Sequence, residues 1–406
     1  MPLDHPVSIN VLSDDQIATV QSTIPLLESA GTAITTHFYN RLFSHNPELQ
    51  HIFNMSNQHS GKQQFALFSA IASYAKYIDN LPALQAAVER IANKHTSLAI
   101  QPEHYPIVGH HLIETLRELA PEAFTPKVEE AWTAAYELLA SVFINKEEEI
   151  YKESEDKSGG WRGAKKFRLI EKRIESELVK SLVFEPVGGG KVASYKAGQY
   201  IGIKLCLPNQ EFEEIRQYSL SDKHNDDSYQ ISVKREITDA PGIVSNFLHD
   251  GLRLGDEVEL YPPAGDFFYT EKSNPVTLIS AGVGATPMKS ILETLANKNN
   301  SQNIYYLHAC ESIAQHSFKK RIAELATSNK NIISHTWYRS DSSTQANTYQ
   351  GFMDLSSLEN SLPLAEGDFY LCGPVAFMRF AKQQLVTLGV CLSRIHYEVF
   401  GPHEAF

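Results

Sequence analysis

Arg216-Gln217-Tyr218-Ser219 lies near the middle of the chain and closes an extended stretch, Ile215 to Leu220, that starts polar and ends aromatic. A second aromatic-bearing segment precedes it: Ala197 to Leu205 contains no proline and carries Gly198-Gln199-Tyr200. A cation for a pyrophosphate, a flat ring to cover a tricyclic ring and a hydroxyl toward its nitrogens are what a flavin requires of a protein surface. Taken alone, the four residues fit an ordinary exposed strand with a charged start equally well. Their neighbours decide between the two. Upstream is a helical module with one histidine placed as an iron ligand would be. Downstream is a glycine-rich turn placed as a nicotinamide site would be.

A chain of 406 residues implies two or three domains. A hydrophobic content of 42% and a charged content of 21% are those of an ordinary globular protein. The net charge of -12 argues against a general nucleic-acid binder. No apolar run reaches membrane-spanning length, and no secretory signal pattern opens the chain. Cys206, Cys310, Cys372 and Cys391 are far apart, as expected of free thiols in a reducing cytoplasm, and supply no iron–sulfur ligand set.

Before the join the pattern is helical throughout. Ser13 with Gln16 forms a capping box, Pro25 disturbs the first helix near its end, and Gly31 separates it from the next. Ile34, Phe38, Leu42 and Phe43 make a face that stops at Asn46-Pro47. A helix over 61–78 is expected to turn Phe65, Phe68, Ile71 and Tyr74 inward. Pro82 opens another, with Leu84, Val88, Ile91 and His95 at helical spacing, and helices follow around 105–119 and 122–149. His95 on an apolar face could be a satisfied core residue. Three features favour a ligand instead: Tyr39 and Gln63 are polar groups on otherwise apolar faces, and Phe53 sits in the connection between them. A haem wedged between the Gln63 and His95 helices would use all of them.

This segment resembles the globin domain of the bacterial and yeast flavohaemoglobins. The resemblance is carried by Phe38-Tyr39, Asn46-Pro47-Glu48-Leu49 with Ile52-Phe53-Asn54, Gln63 with Leu67, Lys94-His95-Thr96, Tyr105, and Val142 to Glu147. It implies that His95 is the proximal ligand of haem b, Tyr39 and Gln63 the distal polar groups, and Leu67 the apolar cover. Tyr105 and Glu147 would then hydrogen-bond the far nitrogen of His95, which makes the imidazole more basic. A leader about ten residues longer than usual is the one departure noted in this segment.

Lys146 to Lys157 is charge-dense and Gly159-Gly160 precedes Trp161, so the join is placed here. Strands are expected at 168–177, 178–184, 200–205, 215–220, 229–235 and 256–260, with one short helix near 244–249: a small antiparallel barrel. Gly242 and Ser245 at that helix start offer backbone donors to a phosphate. With Arg216 and Pro263-Ala264-Gly265-Asp266-Phe267-Phe268, the segment resembles the FAD module of the ferredoxin–NADP⁺ reductase superfamily. By that resemblance Arg216 pairs with the pyrophosphate, Tyr218 stacks on the isoalloxazine and Ser219 approaches its reactive edge, with Tyr200 and Gln217 nearby.

From Pro275 strands and helices alternate. Strands are expected at 275–280, 303–308, 331–336, 368–372 and 395–399, and helices at 288–296, 313–327 and 375–388: a doubly wound α/β domain. Gly282, Gly284, Thr286 and Pro287 close one strand and Cys372-Gly373-Pro374 another. These turns resemble the superfamily's nicotinamide site, except that Ala285 stands where many relatives carry Gln. The ending Tyr397-Glu398-Val399-Phe400 resembles the one whose aromatic covers the flavin, with Val399 where relatives often have Cys; Phe400 would have to move for hydride transfer. Glu398, Lys94 and Gln217 would line the passage between flavin and haem. Glu311 disfavours a 2′-phosphate, though Lys319 and Lys320 could reverse this, so NADH is expected over NADPH.

The expected organisation is a globin domain at 1–150, a linker at 151–161, an FAD barrel at 162–270 and an NAD(P)H domain at 271–406. The resemblance implies a cytoplasmic, monomeric nitric oxide dioxygenase that converts NO and O₂ to nitrate with NAD(P)H. Alternatives are a flavin or ferric reductase, and a haem-based oxygen store or sensor.

Overall fold

The structure, a computed structural model, describes residues 11–53, 61–208, 210–237, 241–298 and 302–401. Asn54, one of the residues that carry the globin resemblance, lies outside them. Contact density divides the chain into two units: Met1–Asp156 with Lys204–Arg216, and Lys157–Ile203 with Gln217–Phe406.

In the first unit, α1 (Asp14–Ser22) starts on the capping box: the Gln16 amide donates to Ser13 Oγ at 3.3 Å and the Ser13 amide to Gln16 Oε1 at 2.9 Å. Pro25 sits in the first turn of α2 (Ile24–Ala30), where no N–H is needed. Gly31, at φ 54°, redirects the chain into α3 (Thr32–His45). Then come α4 (Lys62–Lys76), α5 (Gln85–Ser97), α6 (His104–Leu119) and α7 (Pro126–Glu155).

Two expectations need correction here. Phe65 is 50% exposed. At 100° per residue it lies about 120° around the helix from Ile71, whereas Leu67 lies within about 40° and packs on the core with buried Ile71 and Tyr74. The last helix also runs six residues past Glu149, to Glu155. Its Lys and Glu are good helix formers, and Lys146–Glu149 and Lys152–Glu148 pair along it at 3.4 and 3.8 Å.

Strands β1 (Lys165–Ile174), β2 (Val179–Pro186), β3 (Tyr200–Leu205), β4 (Glu214–Ser219), β5 (Tyr229–Lys234) and β6 (Glu257–Leu260) form one sheet in the order β4-β3-β6-β1-β2-β5. Its two edges meet through an antiparallel bridge, Leu220 to Ile231, and the Ser221 amide donates to the Gln230 carbonyl at 2.9 Å. That contact closes the sheet into a barrel and leaves neither edge unpaired at this point. The short helix α8 (Ile243–Asn246) continues into a single π turn, Phe247–Gly251.

The remaining elements are β7 (Val276–Ala281), α9 (Ala285–Asn297), β8 (Ile304–Cys310), α10 (Lys319–Ser328), β9 (Ile332–Tyr338), β10 (Thr348–Gln350), β11 (Asp368–Cys372), α11 (Val375–Thr387) and β12 (Ile395–Glu398). Their sheet has the order β10-β9-β8-β7-β11-β12, and its pairings are parallel. The chain steps outward from β7 and then returns to its other side, so the topological switch lies between β7 and β11. The helix expected from Ile313 begins only at Lys319, because Phe318 takes a left-handed φ of 63° immediately before it. β10 was not anticipated; three residues are too few to show alternation. Ala197 and Phe267 of the barrel share one hydrophobic cluster with Val276, Leu278 and Met288, so barrel and α/β sheet are joined by common core. No helix among the described residues is long and apolar enough to cross a membrane.

Candidate functional site

His95 lies in the last turns of α5, where the chain brings it to two residues far away in sequence. Its Nδ1 is 2.7 Å from Glu147 Oε1 and 3.1 Å from the Tyr105 hydroxyl, and that hydroxyl donates to Glu147 Oε1 at 2.5 Å. Glu147 is 3% exposed. Burial, with the Glu147 charge beside it, pushes the Tyr105 phenol far above its ordinary range, so it stays a donor. A buried carboxylate accepting from both groups fixes the proton on Nδ1 and leaves the lone pair on Nε2. Phe143 lies 5.6 Å from the ring, centroid to centroid, and shares a cluster with buried Tyr105 and half-buried Val88 and Ile91. A lone-pair imidazole nitrogen on an apolar, half-open helical face could hold a haem iron. The described residues hold no cluster of three or more His, Cys, Asp or Glu that would suit a bare metal ion.

Tyr39 is buried in a nest of rings: Phe38 at 5.0 Å, with Phe43 and Phe53 both at 5.8 Å. Phe53 and Leu67 are half-buried members of the same cluster, and Gln63 is half-buried on α4. The helical core thus falls into two clusters, one holding Tyr39 and Leu67, the other Tyr105 and Phe143.

On β4, Arg216, Gln217 and Tyr218 are half-buried and Ser219 is buried. Arg216 forms an ion pair with Glu214, its same-face neighbour, at 2.7 Å, and Nη1 also donates to the Ile215 carbonyl. Tyr200 pairs through its backbone with Ala264. Gly265 has φ 121°, and a Cβ there would come within 2.9 Å of the Tyr200 ring, so glycine lets that ring pack close to the backbone at 265. Ser245 Oγ donates to the Gly242 carbonyl at 3.1 Å and accepts from the Glu236 amide at 3.2 Å, which ties Glu236 to the start of α8.

The two turns of the α/β domain meet. A Cβ on Gly284 would run into the Cys372 carbonyl and stand 2.6 Å from the Gly373 nitrogen. Gly282-Val283-Gly284 and Cys372-Gly373-Pro374 are therefore packed backbone against backbone at the switch point. Thr286 Oγ1 holds the turn by donating to the Val283 carbonyl at 2.9 Å, and Pro287 is buried beside it. Cys372 contributes backbone only: its side chain is fully buried and burial pushes the thiol well up. Glu398 ends β12, and Phe400 beyond it is 46% exposed. Lys94 belongs to the helical unit, Gln217 and Glu398 to the other.

Three family models match this architecture in the same order: Globin over residues 36–143, the oxidoreductase FAD-binding domain over 166–269 and the oxidoreductase NAD-binding domain over 278–383. The flavohemoprotein of Vibrio cholerae serotype O1 is 56% identical over 97% of this chain and 99% of its own length. The chain belongs to the flavohemoprotein family. Among solved structures, the flavohemoglobin of Malassezia yamatoensis with bound FAD and heme is 28% identical, with a TM-score of 0.86 over 96% of this chain and all of that one. The FAD/NAD-binding domain of nitric oxide dioxygenase from V. cholerae O1 biovar El Tor is 49% identical, with a TM-score of 0.57 over 59% of this chain and all of that one.

Within this flavohemoprotein, several participants were invisible in sequence. Tyr136 donates to the Tyr105 carbonyl at 2.6 Å and so steadies the residue that steadies Glu147. Arg339 pairs with Glu311 at 2.9 Å, so the carboxylate expected to repel a 2′-phosphate has a cation beside it. The signal available for both was only residue type, since their partners are 31 and 28 residues distant in the chain.

Proposed function

We propose that this flavohemoprotein is a nitric oxide dioxygenase, a cytoplasmic monomer in which a globin domain at 1–150 is served by an FAD barrel at 162–270 and an NAD(P)H domain at 271–406. When bound, haem supplies the iron at which O₂ and NO combine to nitrate, and FAD supplies the conversion of a hydride into single electrons. The protein's own residues position, donate and exclude water. The observation that carries the reading is the His95–Glu147–Tyr105 set, built into the same chain as a reductase. A buried carboxylate on Nδ1 gives the imidazole anionic character, which strengthens electron donation through Nε2. A reversible oxygen store gains little from that push and needs electrons only for repair.

Tyr39 and Gln63 supply hydrogen-bond donors on the distal side, and Leu67 keeps that side apolar. Arg216, Tyr218, Ser219, Gly242 and Ser245 hold the flavin, while the packed turns at Gly284 and Gly373 offer backbone to a dinucleotide phosphate. Phe400, 46% exposed beyond β12, would have to move away from the flavin for nicotinamide to enter. The test is His95→Ala. NO consumption should fall to background and haem content should drop, while NADH still reduces FAD, because the barrel and α/β sheet have their own core. Haem content and NO turnover that survive the change would return His95 to the role of a core histidine.

A further inference from the structure

We infer that Lys289 is a positioning residue for hydride transfer: buried, it ties the segment that follows the flavin strand to the first turns of the nicotinamide helix. This rests on the reading of β4 as the flavin strand and of the Gly282–Pro287 turn as the nicotinamide site. Lys289 lies three residues after Thr286 on α9, about 4.5 Å along the helix axis. Its side chain is 4% exposed, and Nζ donates to the Ser221 carbonyl at 2.9 Å. Ser221 is two residues beyond Ser219.

The tie is reinforced along one face of the same helix. Ser290 Oγ donates to the Asp222 carbonyl at 2.6 Å, and Lys223 Nζ donates to Asn297 Oδ1 at 2.7 Å. From the barrel, the Tyr195 hydroxyl donates to the same Asp222 carbonyl at 2.7 Å. Ser221 Oγ meets Ser232 Oγ at 2.7 Å, which in turn meets Ser181 Oγ at 2.7 Å, so the segment is also fixed into the barrel wall. Residues 221–223 are therefore clamped between the flavin barrel and the helix that begins at the nicotinamide turn.

A plain buried ion pair is the competing explanation, since Glu293 Oε1 is 3.3 Å from Lys289 Nζ. Glu293, however, already has a two-pronged partner: Arg321 Nε and Nη2 donate to its two oxygens at 2.7 and 2.8 Å. Burial would raise the Glu293 carboxyl, yet Arg321 and Lys289 hold it below its ordinary range. Removing Lys289 thus leaves Glu293 paired. What is lost is the donor to the Ser221 carbonyl together with the charge 3.5 Å from Asp222 Oδ1, which no apolar side chain can replace. Met288, Ile291 and Leu292 on the same helix are fully buried, and methionine, unbranched and flexible, is the apolar variant closest in shape to lysine.

The experiment compares the FAD-loaded full-length protein with Lys289→Met, Lys289→Arg and Ser290→Ala by anaerobic stopped-flow with NADH, without NO. The limiting rate of flavin reduction should fall roughly tenfold or more in Lys289→Met with little change in NADH affinity, as expected for lost alignment rather than lost binding. Lys289→Arg should recover part of the rate, and Ser290→Ala should slow it less than Lys289→Met. Independently of activity, amide hydrogen exchange in 220–224 should quicken in Lys289→Met while 229–234 stays protected. A folded, flavin-bound Lys289→Met with wild-type limiting rate and wild-type exchange overturns the proposal. Should that variant fail to fold, an unchanged rate and exchange in Ser290→Ala overturns it. A wild-type flavin that NADH does not reduce contradicts the functional reading itself, and the proposal with it.

Discussion

A tyrosine surrounded by three phenylalanine rings has its aromatic body fixed by packing, so its hydroxyl can be removed without disturbing the ring. Tyr39 is such a residue, 5% exposed among Phe38, Phe43 and Phe53. If its hydroxyl donates to ligand oxygen, the bond is charge-assisted and contributes about 1.5–3 kcal/mol. That corresponds to about ten- to a hundredfold in O₂ residence time. Tyr39→Phe should therefore retain fold, haem and NADH-to-FAD reduction, release O₂ faster from the reduced protein, and lose NO turnover most at low O₂. Stopped-flow O₂ release is the check, and an unchanged off-rate would make Tyr39 a volume-filling residue. The residue types of this site were legible in sequence; its pairings were not. His95 is 52 residues from Glu147, and no local pattern reports that they touch. Lys289, by contrast, left a trace: it is the one cation of α9, whose large apolar residues are Met288, Ile291, Leu292 and Leu295.

At the scale of elements, β8 and β9 carry a buried pair of imidazoles on and beside their strands. His308 and His316 stack at 5.1 Å; His308 Nδ1 meets Ser280 Oγ at 2.9 Å, and His316 Nδ1 meets the Tyr338 hydroxyl at 2.8 Å. Burial, with Lys319 nearby, pushes His316 down to about 4, and burial with His316 beside it holds His308 well below its ordinary value. As pH falls below about 6.5 the unfolded chain takes up these protons first, so stability declines from there until the folded His316 titrates. For His316 the loss should be about 2 kcal/mol between pH 7 and pH 5. Denaturant unfolding of the wild type and of His316→Gln at both pH values checks this: the variant should lose less, and equal losses would contradict it. The same region shows where pattern reading stops. β3 and β11 were legible to the residue because alternation or an apolar run ends at a clear boundary. The segment 313–318 was read as helix from its composition, and only the left-handed Phe318 stops it, a backbone state that no neighbouring glycine announced.

On the proposed function the chain joins two chemistries, one at a histidine with a carboxylate behind it and one at a flavin strand tied to a nicotinamide turn. Their order along the chain was legible because the hydrophobic period changes from helical to alternating after Gly159-Gly160. The assignment of Lys204–Arg216 to the helical unit was not legible, since it depends on contacts between segments far apart in sequence, such as the Glu213 amide donating to His51 Nδ1 at 3.0 Å. The central claim is that the two chemistries form one electron path. The most direct test is the anaerobic visible spectrum of the protein loaded with haem and FAD, recorded before and after NADH with no mediator. Flavin and haem bands should both shift to their reduced forms, the flavin first. Flavin that bleaches while the haem stays ferric after prolonged incubation would contradict the account.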